Sequence, residues 1–208
     1  ATSSVTDTLS SLGSSLLTVT VEDDKGSPIA METLTQWTEE IPEIGLMAPY
    51  VSDTITGSAE EGSGSVTVYG TVPEYYDIQG LQLIMGRFLK TVDIQNSSYV
   101  CIINQAAAEE LVGYADCVGQ AISLNNIKFT IVGVLSNGDE SLTSVFSSES
   151  MVAYVPYESL VRLSTTASNE ITTFYVSAAE GLLTENAEEA MTQILMERFD
   201  QDEDAFAI

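Results

Sequence analysis

The stretch that decides the fold is residues 101–135, "CIINQAAAEELVGYADCVGQAISLNNIKFTIVGVL". The apolar run "SYVCII", which ends inside it, predicts a buried strand, and "NQAAAEEL" predicts a short alanine-rich helix with Asn104 as its N-cap and Gly113 as its stop. "AISL" and "KFTIVGVL" then read as two strands joined by a tight Asn-Asn hairpin. We therefore expect a small module of strands and one helix in the middle of the chain.

The segments outside this block repeat one order of elements. Near the start, "SLLTVTVED" predicts a strand and "IAMETLTQWTEEI" a helix that ends at Pro42, while residues 3–13 have helical spacing. Near the end, "EITTFYVSA" predicts a strand and "ENAEEAMTQILMERF" an amphipathic helix. Residues 44–56 and 65–72 read as two strands that are joined by a glycine-rich turn. The recurring strand-helix-strand order predicts an α+β fold in which the two chain ends form halves of one sheet.

The composition excludes several classes of function. Six Lys+Arg against 31 Asp+Glu give a formal charge of -25, so nucleic acid and an anionic bilayer are poor partners. No window approaches the roughly 18 consecutive apolar residues of a membrane span, and we expect a soluble piece. The chain has no histidine, which excludes Ser-His and Cys-His nucleophile pairs and histidine-containing zinc sites. The first residue is Ala1 without a leader, and we interpret the chain as a segment of a longer protein or a processed form.

Few residues are candidates for chemistry. Carboxylates lie in runs typical of solvated surfaces, and "DQDED" lacks the glycine and the distant glutamate of a calcium loop, so we predict no catalytic, cofactor or metal site. Arg87, a lone cation in "IMGRFL", predicts a structural ion pair with a carboxylate. Cys101 and Cys117 are the two cysteines, and they are either two buried thiols or a disulfide.

Three quoted runs together resemble a known family. They are "VYGTVPEYYDIQGLQLIMGRFL", the stretch quoted first, and "VAYVPYESLVRL". The pattern comprises Gly70 and Pro73 in G-x-x-P-x-Y, Gly86-Arg87-Phe88, the alanine helix, "DCVGQ", "FTIVGVL" and Val155-Pro156. In this order the motifs resemble the extracytoplasmic core domain of MacB/FtsX-type ABC transporter permeases over most of residues 12–178. Family members commonly have proline at the position of Cys117, and this difference favours a Cys101–Cys117 disulfide.

The resemblance implies an architecture and a role. It implies a porter-like subdomain with a split βαβ sheet from residues 1–72 and 151–208, and a smaller β-rich subdomain from residues 73–150. It also implies a non-catalytic domain on the extracytoplasmic face of a bacterial membrane, attached through flanking transmembrane helices. Expected partners are a cytoplasmic ABC ATPase, which hydrolyses ATP so that this domain needs no cofactor, a second permease copy, and an extracytoplasmic adaptor or exported substrate.

A polar loop, "SNGDESLTSVFSSES", is the expected partner-contact surface, because long polar loops often carry binding. Its candidate residues are Asn137, Asp139, Glu140 and Phe146. Two alternative functions remain at this point. A secreted carboxylate-dependent hydrolase requires two close carboxylates with raised pKa values in a deep pocket, and a free-standing ligand-binding or adhesin module requires a parent gene without membrane anchors.

Overall fold

The computed structural model of the chain describes residues 16–22, 26–137 and 150–208. The described strands are β1 (Leu16–Val21), β2 (Ile44–Pro49), β3 (Val51–Ser58), β4 (Ser63–Thr71), β5 (Leu83–Gly86), β6 (Val100–Asn104), β7 (Ala121–Leu124), β8 (Ile127–Leu135), β9 (Val152–Pro156), β10 (Thr173–Ala178) and β11 (Phe206–Ala207). The described helices are α1 (Met31–Glu40), α2 (Glu74–Ile78), α3 (Thr91–Gln95), α4 (Gln105–Ala107, continued by a π-helical turn over Ala108–Val112), α5 (Tyr157–Leu163) and α6 (Thr184–Arg198). A 3₁₀ turn, Glu203–Ala205, precedes β11.

The chain divides into two compact units. Unit 1 comprises Ala1–Pro49 and Glu170–Ile208, and unit 2 comprises Tyr50–Asn169. The sequence predicted boundaries at residues 72 and 151 instead, which differ from these units by the β3–β4 hairpin on one side and by β9 and α5 on the other. The hairpin β3–β4 belongs to unit 2 because β4 pairs with β9 and β3 pairs with β7. Consequently the inserted unit is the larger of the two, whereas the sequence predicted that the inserted unit would be the smaller.

Unit 1 is a split βαβ sheet, as the order of elements predicted. Its strand order is β11-β1-β10-β2, and each pair of neighbours is antiparallel. The helices α1 and α6 bury one stripe each, which for α6 consists of Ala187, Met191 and Leu195. Trp37 of α1 is buried, and the guanidinium of Arg198 lies 5.8 Å from the centroid of its ring. The two halves therefore share one core although long sequence separates them.

Unit 2 is built on a sheet that closes on itself. The strand order is β5-β8-β6-β9-β4-β3-β7, and β7 pairs with β8 as well as with β3. Six of these strands therefore form a small ring, with β5 added at the edge of β8. Its interior holds alternating apolar side chains such as Val66, Ile103 and Phe129. The closing contact between β3 and β7 is short, with Gly57 opposite Leu124 and Ser58 opposite Ser123.

The decisive stretch folds as predicted. The side chain of Asn104 accepts a hydrogen bond from the Ala107 N–H (3.0 Å), and Gly113 ends the helix with φ +93°. Asn125 and Asn126 adopt φ +50° and +64°, which are the positive values of a two-residue hairpin turn between β7 and β8.

One strand prediction was wrong. Residues 44–56 were expected to form one strand, but they form β2 in unit 1 and β3 in unit 2. Tyr50 separates the two, directly after Pro49, which ends β2 and has no N–H to donate to a continuing ladder. The helix expected over residues 3–13 lies outside the described residues.

Candidate functional site

Arg87 is held in a two-pronged ion pair at the end of β5. Its Nη1 donates to Asp93 Oδ2 at 2.7 Å and its Nη2 donates to Asp93 Oδ1 at 3.3 Å. The backbone N–H of Lys90 donates to Asp93 Oδ2 at 2.9 Å. Burial alone would raise the pKa of Asp93, but these hydrogen bonds and the positive charges of Arg87 and Lys90 outweigh it and lower that pKa. The carboxylate partner expected for Arg87 is therefore Asp93, which the sequence did not identify.

Two glycines allow the backbone around Arg87 to approach β8 closely. Gly86 has φ +73°, and a Cβ there would collide with the Val132 carbonyl. A Cβ on Gly133 would collide with the Arg87 carbonyl. The Arg87 N–H donates to the Val132 carbonyl at 2.9 Å. The Gly-Arg-Phe motif and the glycine of "FTIVGVL" thus form one structural site, which fixes the end of β5 and the start of α3 on the ring.

Phe88 continues this site into a tyrosine cluster, which consists of Tyr50, Tyr69, Tyr75, Tyr76, Phe88 and Tyr154. Tyr154 is its centre: its ring lies 5.4 Å from Tyr69, 5.6 Å from Tyr75 and 5.7 Å from Phe88. Each such pair adds roughly 0.5–1.5 kcal/mol beyond the area buried. The quoted sequence runs contained all of these rings except Tyr50, but their spacing along the chain gave no signal that the fold brings the six together.

The expected partner-contact loop has a hydrogen-bonded base. Asn137 Oδ1 accepts the Ala106 N–H at 2.9 Å, while Asn104 Nδ2 donates to the Ser150 carbonyl at 2.8 Å. Asn104 Oδ1 also accepts the Val152 N–H at 3.0 Å. Both stems of the loop are therefore tied to the start of α4. The other candidates, Asp139, Glu140 and Phe146, lie outside the described residues.

Cys101 and Cys117 are free thiols in the structure rather than the favoured disulfide. Both belong to the interior core of unit 2, and neither is exposed. Burial raises the pKa of each thiol, and the second cysteine raises that of Cys101 further. Cys101 of β6 pairs with Ile131 of β8. The Ile131 carbonyl accepts a hydrogen bond from the Gly119 N–H, on the edge of β8 that faces away from β6. The Cys101–Cys117 disulfide stays a prediction for oxidising conditions.

An open acidic groove of about 390 Å³ lies in unit 1 between the end of α1 and the face of α6. Four glutamates line it, together with Ile41, Pro42, Asn186, Ala190, Gln193 and Ile194; the glutamates are Glu40, Glu43, Glu189 and Glu197. In the part of the chain that the structure describes, no group of three or more His, Cys, Asp or Glu side chains is arranged to hold a metal ion. The groove is an acidic surface lined by four carboxyl side chains.

No helix in residues 16–22, 26–137 and 150–208 combines the length and the hydropathy of a bilayer-crossing segment. The pKa of the Asp93 carboxyl group is lowered. A general acid needs the opposite shift. This carboxylate is suited to structural pairing.

Comparison with known proteins assigns this geometry to a family. A family model described as "MacB-like periplasmic core domain" matches residues 1–194. Among solved structures, the periplasmic region of MacB from Actinobacillus actinomycetemcomitans has a TM-score of 0.74 at 20% identity and covers 94% of this chain and 88% of that one. The extracellular domain of the noncanonic ABC-type transporter YknZ has a TM-score of 0.70 at 16% identity, with 92% and 97% covered. These likenesses show the fold.

Curated relatives match by sequence. The macrolide export ATP-binding/permease protein MacB of Aggregatibacter actinomycetemcomitans is 27% identical over 131 residues, which are 63% of this chain and 20% of that protein. The protein of the same name from Chlorobaculum tepidum is 31% identical over 144 residues, with 64% and 22% covered. The chain thus spans about a fifth of the length of these relatives.

Proposed function

Because the chain belongs to the MacB-like periplasmic core domain family, it is an extracytoplasmic domain of the type found in MacB-like ABC transporter permeases, and we propose that its task is mechanical. In this proposal, ATP-driven closure of a cytoplasmic ATPase tilts flanking transmembrane helices, and the domain passes that motion to an exported substrate or a partner protein. The domain itself makes and breaks no covalent bond and holds no cofactor.

The observation that carries the proposal is the pairing of the first and last strands of unit 1. β11 is antiparallel to β1, with Thr20 opposite Ala207 and Val21 opposite Phe206. The Glu22 N–H also donates to the Ala205 carbonyl at 2.8 Å. Segments that lead into β1 and out of β11 therefore pull on neighbouring strands of one sheet. A displacement of those segments moves the sheet as a body, since its core is closely packed.

The partners proposed are a cytoplasmic ABC ATPase, a second permease copy, and an extracytoplasmic adaptor or exported substrate. The loop between Asn137 and Ser150 is the proposed contact surface, because long polar loops often carry binding, and both of its stem residues are held by hydrogen bonds to the start of α4. The relatives are named as macrolide export proteins, so macrolides are the first compounds to test as substrates.

The test of transmission is a flexible insertion in the parent transporter. A Gly-Ser segment placed directly after Ile208 separates the sheet from the segment that follows. We expect the basal ATPase rate and the unfolding midpoint to be unchanged and transport to fall strongly. A matched insertion between Glu60 and Glu61, at the tip of the β3–β4 hairpin, perturbs the Glu61 N–H bond to the Leu111 carbonyl and should lower the unfolding midpoint slightly, but it should leave the basal ATPase rate and transport near their original values.

Two results would contradict the mechanical role. Full transport by the Ile208 insertion variant would mean that the sheet need not be coupled to its flanking segment. Turnover of a small molecule by purified residues 1–208 without an ATPase would show chemistry within the domain. Either result would favour the hydrolase or ligand-binding alternatives over the mechanical role.

The contact loop has a separate test. Replacing residues 138–149 with a short Gly-Ser linker keeps Asn137 and Ser150, so the base bonds to Ala106 and Asn104 stay. Transport by the parent protein should fall while the unfolding midpoint of the domain stays the same. Unchanged transport would remove the loop from the mechanism and leave the lever proposal intact.

A further inference from the structure

The four strands of the unit 1 sheet carry no charged residue. Neither β1, β2, β10 nor β11 contains Asp, Glu, Lys or Arg. The whole chain has a formal charge of -25, and the helix α6 of the same unit carries four glutamates. The sheet is therefore an uncharged layer within a strongly acidic chain.

Strand alternation divides the side chains of this sheet between two faces. Val19 lies opposite Phe174, and Val176 lies opposite Met47, and all four are buried. This buried face is the one that α1 and α6 cover, since both helices pack on these strands. The residues between them form the second face, which we call the outer face: Leu16, Thr18, Thr20, Leu46, Ala48, Thr173, Tyr175, Ser177 and Ala207.

The outer face is largely accessible. Leu16, Thr18 and Ala207 are exposed, Ala48 is buried, and the other members are half-buried. Four of the side chains end in the hydroxyl groups of Thr18, Thr20, Thr173 and Ser177. The face is thus a flat surface of short hydroxyl and apolar side chains.

We propose that the outer face of unit 1 contacts the same face of a second copy of this chain across a two-fold axis. The inference rests on the proposed function, in which a second permease copy is a partner, and it adds the surface on which the two copies meet.

Charge selects this face for contact between two copies. Two copies that met through α6 would bring carboxylates of both chains within the Debye length, which is about 8 Å at physiological salt. On the outer face, carboxylates follow the strand ends, as Glu22 does after β1 and Glu180 does after β10. A six-residue strand is about 20 Å long, so such groups lie about 10 Å from its centre. A basic partner, in contrast, would be attracted to the acidic groove beside α6 rather than to an uncharged face.

The hydroxyl groups make the outer face complementary to itself. A two-fold contact places one surface against an identical surface, so each group must be able to pair with groups of its own kind. A hydroxyl both donates and accepts a hydrogen bond, whereas an ammonium group only donates and a carboxylate only accepts. Threonine and serine side chains therefore satisfy this condition without a second type of residue.

The area of the face favours a tethered partner. Four strands about 4.8 Å apart and five to six residues long present roughly 300–400 Å². A stable interface between free proteins buries about 800 Å² on each side. A freely diffusing partner therefore gains too little from this face. A second copy held in the same permease meets it at a high effective concentration, which compensates for the small area.

The first experiment is cross-linking in the parent protein in lipid nanodiscs. Two copies with different affinity tags are co-expressed, both with Thr18→Cys near the centre of the outer face, and other exposed cysteines of the parent are removed. Cys101 and Cys117 are buried and do not react in the folded state. Thr192→Cys, an exposed position on α6, is the matched control. The reagent is a bifunctional maleimide that spans about 10 Å, the distance between two packed sheets.

We expect at least about fivefold more cross-linked dimer from position 18 than from position 192, because tethered copies meet repeatedly through one face. A charge exchange then tests the cause, with Thr20→Cys as the reporter. Two Thr18→Glu copies, or two Thr18→Lys copies, should lose about threefold or more of the cross-link through repulsion. One Glu copy paired with one Lys copy should regain it, which a substitution that only damaged the fold would not do.

Four results would overturn the proposal. Equal yields at positions 18 and 192, or no restoration by the Glu and Lys pair, would reject the outer face while leaving the proposed function intact. Protection of Thr18→Cys from a monofunctional maleimide without cross-linking would mean that something other than a second copy covers the face. If the two tagged copies failed to co-purify, the second copy in the proposed function would be rejected, and the contact with it.

Discussion

Replacement of Asp93 by asparagine should destabilise unit 2 by about 2 kcal/mol at neutral pH. The side chain of Asp93 is 6% exposed and accepts three hydrogen bonds, two of them from Arg87. Asparagine keeps the shape and one acceptor oxygen, but it removes the charge that strengthens each bond. Hydrogen bonds to charged groups contribute about 1.5–3 kcal/mol. The 34% exposure of the Arg87 side chain lets water compensate part of the loss, so the lower half of that range applies.

The pH dependence gives this prediction a second readout. The pKa of Asp93 is lower in the folded protein than its ordinary 3.8, so the stabilisation is complete well above pH 4. It is lost as the pH falls through the folded pKa, since both states then bind the proton. Asparagine does not titrate, so the difference between the variant and the original protein should shrink toward zero in acid.

The assay is urea unfolding of residues 1–208, followed by hydrogen exchange of β8 amides, which reports unit 2. Trp37 is the one tryptophan and lies in unit 1, so its fluorescence should report an unchanged transition. Arg162→Gln is the matched control, because its pair with Glu158 spans 3.8 Å with both side chains 56% exposed. Such exposed pairs contribute less than about 1 kcal/mol. An Asp93→Asn cost no larger than that of Arg162→Gln, or one that grows in acid, would refute the reasoning.

Three further experiments test the packing of unit 2. Gly133→Ala should cost about 3 kcal/mol in urea unfolding, because its Cβ collides with the Arg87 carbonyl, whereas Gly119→Ala, with open space but φ +93°, should cost about 1–2 kcal/mol; equal costs would contradict the close approach. Asn104→Ala should cost about 2–3 kcal/mol and speed exchange of the Val152 amide; Asn104→Asp loses the Nδ2 donor to the Ser150 carbonyl but keeps the oxygen that accepts the Val152 N–H, so this amide should exchange more slowly than in Asn104→Ala, and equally fast exchange in both variants would argue against the accepting role. Native alkylation should leave Cys101 and Cys117 unmodified, and alkylation in denaturant should modify both if they are free; protection that only a reductant removes would show the disulfide instead.

The sequence alone determined the local elements of this protein. Asn104 before an alanine run and Gly113 after it set a helix, because capping and left-handed residues act within one turn of the chain. The Asn-Asn turn and the alternating apolar residues of β8 likewise predicted a hairpin and a strand from neighbouring residues alone. The family motifs, taken in order, led from these elements to the extracytoplasmic core domain of a transporter permease, which the family match confirms.

Only the tertiary structure decided which elements meet. The pairing of β7 with both β3 and β8, which closes the ring, joins segments far apart in the chain, and no local pattern encodes such pairing. For the same reason the sequence misplaced the boundary between the units and left the partner of Arg87 unnamed. The exposure of Leu182 and Leu183 could not be predicted from the sequence either, since adjacent leucines are typical of a buried core and only the fold places these two in solvent. Local propensity acts over a few residues, whereas burial is a property of the assembled chain.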